Sequence, residues 1–419
     1  MIKRLLPKST FAKNVATLMT GTALAQILPI AISPLLTRFY SPAEFSVFAM
    51  YVAILAILSV VACLRFEIAV PIPADDKTAI ELVLLSLVST FSVAIVTGIA
   101  IWLFGEKIAA MSGDKLGNLI WLIPVGVLLA GCYNAFQYWA TRNKAFRHVA
   151  KTRMTQSFSG ASTQLGLGCL DISPLGLLLG HILQAGAGVI GLGRRFYADA
   201  KSHFHKLNLV GIKKTFKEYD RFPKYSTWEA LANSAGVQLP VILIATYAAG
   251  AEAGYLMLAM RLLSAPMSLI GGSIAQVFLS EAPTKHHAGE LRRFTVKTAM
   301  SLLKIGALPI LAIAILSPLL VPYVFGQNWA RAGVIISWMA PWYLMQFITS
   351  PVSMALHIVN AQRTALILQL FGLLLRVFVV IISLLFTQGY VVELYALSGL
   401  FFYIVYLVTI MSVIFNSHK

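Results

Sequence analysis

The chain has 419 residues, 58% of them hydrophobic and only 12% charged, with a mean hydropathy of +0.79. A soluble domain carries roughly 25% charged residues, so a water-soluble fold of this size is excluded. Three cysteines, 29 unperiodic glycines and abundant Leu, Ile, Val and Phe also exclude a disulfide scaffold, a collagen and a disordered regulator, which leaves a polytopic helical membrane protein with a net charge of +17.

About 20 mainly apolar residues cross a hydrocarbon core of roughly 30 Å. Runs of that kind predict twelve spans: Asn14 to Leu36, Ser46 to Leu64, Ala79 to Phe104, Leu119 to Ala140, Met154 to Asp171, Pro174 to Gly193, Tyr225 to Ala249, Ala253 to Leu279, Ser301 to Val324, Gly333 to His357, Ala365 to Phe386 and Leu394 to Phe415. The fifth and sixth meet at Asp171-Ile-Ser-Pro174, where a single re-entrant hairpin is the competing reading. The basic start leads into a span of full length with no small-residue cleavage site, so no cleaved signal is expected.

Charge placement tests this topology. With the N-terminus inside, the inner segments hold 27 Lys or Arg and the outer ones 4, with Arg261 and Arg376 inside spans to complete the 33. Such a bias obeys the positive-inside rule, so most of the net charge is topological. Basic loops facing anionic headgroups account for it better than nucleic acid, since no aromatic stacking platform accompanies them.

The longest outer loop, Gly105 to Asn118, is about 14 residues, too short for an outer catalytic domain. On the inner side, Arg194 to Lys224 lies midway along the chain, and Ile212 to Phe222 alternates apolar and basic residues as an interfacial helix does. This predicts an N-terminal six-helix bundle at 1–193, a basic linker at 194–224 and a C-terminal six-helix bundle at 225–419. The halves also share a weak pattern. Gln26, Pro29, Thr37, Tyr40 and Glu44 in the first correspond to Gln238, Pro240, Thr246, Tyr247 and Glu252 in the second.

Four segments carry a family likeness: Pro34-Leu-Leu-Thr-Arg-Phe-Tyr-Ser-Pro-Ala-Glu-Phe45, Leu64-Arg-Phe-Glu-Ile-Ala-Val-Pro71, Phe222-Pro-Lys-Tyr225, and Arg261 to Gly272 followed by Gln276-Val-Phe. With them the chain resembles the bacterial polysaccharide biosynthesis family of O-antigen and exopolysaccharide flippases, within the superfamily of multidrug (MATE) exporters and lipid II flippases. The resemblance implies a MATE-like all-α membrane protein with alternating access between two bundles. It implies transfer of an undecaprenyl-pyrophosphate-linked oligosaccharide from the cytoplasmic to the periplasmic leaflet of the bacterial inner membrane, with both termini cytoplasmic. A polysaccharide polymerase and a chain-length regulator are the implied protein partners.

A pyrophosphate cargo calls for cations, and arginine binds phosphate bidentately. Arg261 lies about a third of the way into the eighth span, where facing lipid would cost at least about 2.5 kcal/mol. It either lines a cavity, heading a stripe through Ser264, Ser268, Gly272 and Gln276, or pairs with an acid such as Glu229 or Glu252. Arg376 lies centrally in the eleventh span, as a ligand group or as a bundle-stabilising one. Arg65, followed by Glu67, ends the second span inside, at a cavity rim or snorkelling to the interface. Arg38 stands similarly at the outer end.

Gln26, on a first span whose polar row includes Asn14, Thr17 and Gly21, and Asn233 and Gln238 on the seventh offer amides for sugar hydroxyls. The prolines Pro29 and Pro240 each leave an unpaired carbonyl and a hinge. Small-residue helix packing is the alternative role for those faces. No cofactor or metal is expected, because His286-His287 and His203-x-His205 lack convergent ligands and no phosphate-binding glycine loop occurs. Two rivals remain: a cation-coupled multidrug exporter on the same fold, which calls for intramembrane acids, and a membrane polymerase or ligase, which calls for a larger outer loop.

Overall fold

A computed structural model describes residues 25–111, 116–359 and 361–416. Among these residues there is no strand. Hydrocarbon offers backbone groups no partner, so each spanning segment must satisfy its own N–H and C=O groups as a helix.

In chain order the helices of the first half are α1 (Ala25–Phe39), α2 (Pro42–Ala62), α3 (Asp76–Met111), α4 (Leu122–Arg142), α5 (Phe146–Cys169), α6 (Leu175–Gly186), α7 (Val189–Ala200) and α8 (Leu209–Glu218). The second half holds α9 (Thr227–Tyr247), α10 (Glu252–Pro266), α11 (Gly272–His287), α12 (Leu291–Phe325), α13 (Ala330–Val352), α14 (Ala355–Ile358), α15 (Gln362–Phe386) and α16 (Val391–Asn416).

Nine helices among the described residues are long and apolar enough to cross a membrane. They contain α2, α3, α4, the run through α6 and α7, α9, α12, α13, α15 and α16, which makes this a multi-pass membrane protein. Of the other expected spans, the described part of the first is the shorter α1, the fifth is the more polar α5, and the eighth is α10 and α11 joined by a π turn at Met267–Gly271.

Three boundaries differ from expectation. Helix α3 continues to Met111 and shortens the long outer loop. Helices α5 and α7 reach Phe146 and Ala200, beyond the expected span ends at Met154 and Gly193. The linker helix α8 stops at Glu218 rather than Phe222, because Pro223, unable to donate to a preceding turn, opens the next helix instead.

The chain forms two compact units, residues 1–32 with 51–234 and residues 33–50 with 235–419. The change occurs inside α1, inside α2 and again inside α9, so segment 33–50 packs with the second unit although it precedes the linker.

In the first unit, α5 and α6 cross through glycines. A Cβ on Gly180 would meet Gln164 Cγ at 2.3 Å and the Gly160 carbonyl oxygen at 2.9 Å, so no larger residue fits that crossing. At one end Phe66, Val70, Ile80, Val83, Trp139 and Phe196 form a buried cluster. Helix α8 is fixed beside it: Thr215 Oγ1 donates to the buried Glu81 at 2.5 Å, Phe216 meets Phe66 at 5.6 Å between ring centroids, and Asn208 caps Gly211 N at 2.6 Å. Arg142 closes the α2–α3 loop by donating to the carbonyls of Val70, Pro73 and Ala74 and to Asp76. That cation has a structural task as well as a topological one.

In the second unit the start of α2 packs on the start of α10. Gly254 N donates to Ser46 Oγ at 2.9 Å, and a Cβ at Gly254 would lie 2.0 Å from the Pro42 carbonyl oxygen. Trp329, 1% exposed, fills the space beside Phe45 and Tyr255 and donates Nε1 to the Thr37 carbonyl. Ser41 and Glu44 form a capping box at the start of α2.

Candidate functional site

The polar groups of the second unit gather around a proline inside a helix. Pro240 lies inside α9 and has no N–H, so the carbonyl four residues earlier, on Gly236, loses its intrahelical donor. Arg376 of α15 supplies one: its Nη1 donates to Gly236 O at 3.2 Å. Tyr395 of α16 adds its hydroxyl at 3.5 Å from the next carbonyl, Val237 O.

The guanidinium of Arg376, 4% exposed, sits among aromatic faces, 4.5 Å from the Phe402 ring centroid, 5.6 Å from Trp342 and 5.8 Å from Tyr403. Cation–π contacts of this kind contribute about 0.5–2 kcal/mol each when desolvated. They hold a charge that meets no carboxylate within ion-pairing distance among the described residues. Through these contacts Arg376 links α15 to α9, α13 and α16.

Arg261, on α10, is half-buried, and its own carbonyl accepts Ser264 Oγ at 3.1 Å. One of the two acids considered as its partner is engaged elsewhere. Both oxygens of Glu252 face Arg331, at 3.0 Å from Nε and 3.1 Å from Nη2. Arg331 Nη1 also meets Glu393 at 2.5 Å. The other acid, Glu229, is exposed on α9. Of the stripe that Arg261 heads, the side chains of Ser268, Gly272 and Gln276 lie outside the described residues, as do Asn14, Thr17 and Gly21 of the first span.

Arg65 and Glu67 belong to the first unit, between α2 and α3. Leu64 and Arg65 both have left-handed backbones, φ 48° and 64°, and this sharp turn buries Glu67. Arg65 Nη1 lies 3.6 Å from Glu67 Oε1, while Arg65 Nε and Glu67 Oε2 are buried with no hydrogen-bond partner. Burial pushes the Glu67 carboxyl above the usual range, against a smaller pull from its own backbone N–H and from Arg65.

The folded protein therefore holds a proton that the unfolded chain has released, and stability falls as pH rises from about 4.3 through the raised folded value. Glu67→Gln is expected to flatten that slope and to leave the thermal midpoint at neutral pH equal to or above the parent's. Midpoints measured from acid to neutral pH check this, and parallel parent and variant curves would overturn it.

The other expected site residues are dispersed. Arg38 is exposed and reaches the Val324 carbonyl at 3.5 Å. Gln26 is half-buried in the first unit, with a buried Oε1 lacking a partner. Asn233 is exposed on the α9 segment that belongs to the first unit, and Gln238 is half-buried on the segment that belongs to the second. Of the seven, Arg376 and Gln238 are linked through α9, where Arg376 bonds the carbonyl two residues before Gln238.

The family model described as polysaccharide biosynthesis protein matches residues 35–333, more than half of the chain. The chain belongs to that family. No curated protein matches it at a significant level. Among solved structures, an inward-facing multidrug resistance MATE family transporter of the MOP superfamily superposes with a TM-score of 0.69 at 14% identity, covering 95% of each chain. The lipid II flippase MurJ in an inward closed conformation gives 0.71 at 13% identity, over 96% of this chain and 90% of that one. A MOP superfamily transporter from Pyrococcus furiosus Vc1, described as having a binding pocket of reverse polarity, gives 0.58 at 12% identity over 97% and 96%. At such identities the likeness is one of fold.

In this polysaccharide biosynthesis protein, the Glu252–Arg331–Glu393 triad escaped sequence reading. All three stand at or near the first turn of their helices, α10, α13 and α16. Three polar helix starts on the expected outer side, two acidic and one basic, were the available signal.

Proposed function

We propose that this protein is a flippase that carries an undecaprenyl-pyrophosphate-linked oligosaccharide from the cytoplasmic to the periplasmic leaflet by alternating access. The observation that carries the reading is the family match over residues 35–333, in a fold shared with a lipid II flippase. The charges deep in the spans are arginines, Arg261 and Arg376, which suits an anionic cargo. Arg261 is the phosphate ligand in this reading, with Gln26, Asn233 and Gln238 as amide donors for a glycan and Arg65 and Arg38 as further candidate cations. Arg376 supports the hinge of α9. Binding and movement do the work without covalent chemistry, so the protein is read as a transporter and not as an enzyme.

Twelve spans complete the reading, with α1 to α7 supplying six, α8 in the linker 194–224, and α9 to α16 supplying six, both termini being cytoplasmic in the bacterial inner membrane. Reporter fusions at Gly113, Glu252 and Gln388 then report outside, and those at Lys206 and Glu290 inside; one reversed sign breaks the scheme.

The functional test separates charge from shape at Arg261. Arg261→Ala is expected to abolish glycan export while the protein accumulates normally in the membrane, and Arg261→Lys to retain part of the export, because lysine keeps the charge but loses the planar fork. Complementation beside a membrane-abundance blot reads both. Full export by the alanine variant, or loss only in step with loss of protein, removes the ligand role; drug efflux without glycan export would favour the multidrug reading.

A further inference from the structure

The first turns of α12 border an open groove of about 800 Å³. Its lining includes Arg292, Arg293, Lys297 and Lys304 together with Met300 and Phe415, and among the described residues holds no carboxylate. None of these four cations pairs with an acid among the described residues; the nearest acid in sequence, Glu290, is held by Lys285 at 2.7 Å. The Arg292 guanidinium carbon lies over the Phe415 ring, 3.6 Å from its centroid, which fixes one cation at the groove's edge.

The face continues along the helix. Arg293, Lys297, Met300, Lys304, Leu308, Leu311 and Ile315 follow one another at steps of four, three, four, four, three and four, so they form one row on α12. Every member is exposed, with Leu308 at 77%, Leu311 at 51% and Ile315 at 72%. The row changes from cationic to apolar after Lys304. A helix of 35 residues is about 52 Å long against a hydrocarbon core of roughly 30 Å, so its cationic first turns extend into the headgroup region while the apolar part of the row meets acyl chains.

A free phosphate would use the cations and leave the apolar continuation unexplained, and a zwitterionic lipid would gain little from four unpaired cations. We propose that this groove is a binding site for an anionic phospholipid, its phosphate held by Arg292, Arg293, Lys297 and Lys304 and an acyl chain lying over Leu308, Leu311 and Ile315. The site lies wholly in the second unit and does not depend on what the protein transports.

The test uses the full chain in neutral detergent, with bound lipid counted by native mass spectrometry as phosphatidylglycerol or phosphatidylcholine is added. Phosphatidylglycerol is expected to bind the tighter. The Lys297→Gln/Lys304→Gln variant is expected to lose about 30-fold of that affinity, two surface cations' worth, with phosphatidylcholine binding unchanged. Equal binding of the two lipids by the unaltered protein overturns the proposal without reference to any variant. So does undiminished phosphatidylglycerol binding by the double variant, or displacement of the lipid by millimolar inorganic phosphate, which would identify a phosphate site.

Discussion

Arg331→Ala is expected to lower the stability of the second unit by about 1–3 kcal/mol, less than breaking a fully buried ion pair costs because the Arg331 side chain is 28% exposed. The reason lies in what the substitution leaves behind. Glu252 presents both oxygens to Arg331, and Glu393, only 4% exposed, has one oxygen on Arg331 and the other already without a hydrogen-bond partner. Removing the single cation strands two carboxylates among the first turns of three helices, where desolvation opposes their charge. Membrane abundance and the thermal midpoint in detergent should both fall. Adding Glu252→Gln and Glu393→Gln to an Arg331→Met background should recover part of the loss, because no buried charge then lacks a partner. Parental abundance and midpoint for Arg331→Ala would show that the triad carries no stability.

Much of the fold is legible in the sequence because the membrane imposes a one-dimensional rule. Apolar runs of about 20 residues separated by charged turns mark the helices, and the expected breaks at Asp171–Pro174 and at Glu252 fall where the chain turns or a helix starts. The capping box at Ser41 and Glu44 is local for the same reason. The failures are of longer range. Nothing in the spacing reveals that Arg331 would meet acids 79 residues before it and, in Glu393, far after it, or that segment 33–50 would pack with the second half. Side-chain anchors between distant elements are equally hidden, as when Glu81 holds α8 through Thr215. Pro240 was half legible: its orphaned carbonyl follows from proline's chemistry, and a lone arginine in a span without an intramembrane acid is a donor in search of an acceptor. Only the fold joins the two, across 140 residues.

That junction predicts a non-additive pair. Arg376→Met should cost stability by stranding the Gly236 carbonyl, about 1–3 kcal/mol for an unsatisfied buried group, beyond the loss of its contacts with Phe402, Trp342 and Tyr403. Pro240→Ala restores an N–H at the position that can reach Gly236 O, so the helix can close its own hydrogen bond and the carbonyl no longer depends on α15. In the Pro240→Ala background the same Arg376→Met change should therefore cost less, by roughly the carbonyl's share, and the double-mutant cycle should return a coupling of about 1–2 kcal/mol. Thermal midpoints of the four proteins in one detergent give the cycle. Equal costs in the two backgrounds would mean that Arg376 serves the aromatic cage alone. Export adds a second reading, since a Pro240→Ala protein that keeps its stability but loses transport would assign the proline to movement, whereas full transport by Pro240→Ala would confine the proline, and the arginine that satisfies its orphaned carbonyl, to packing.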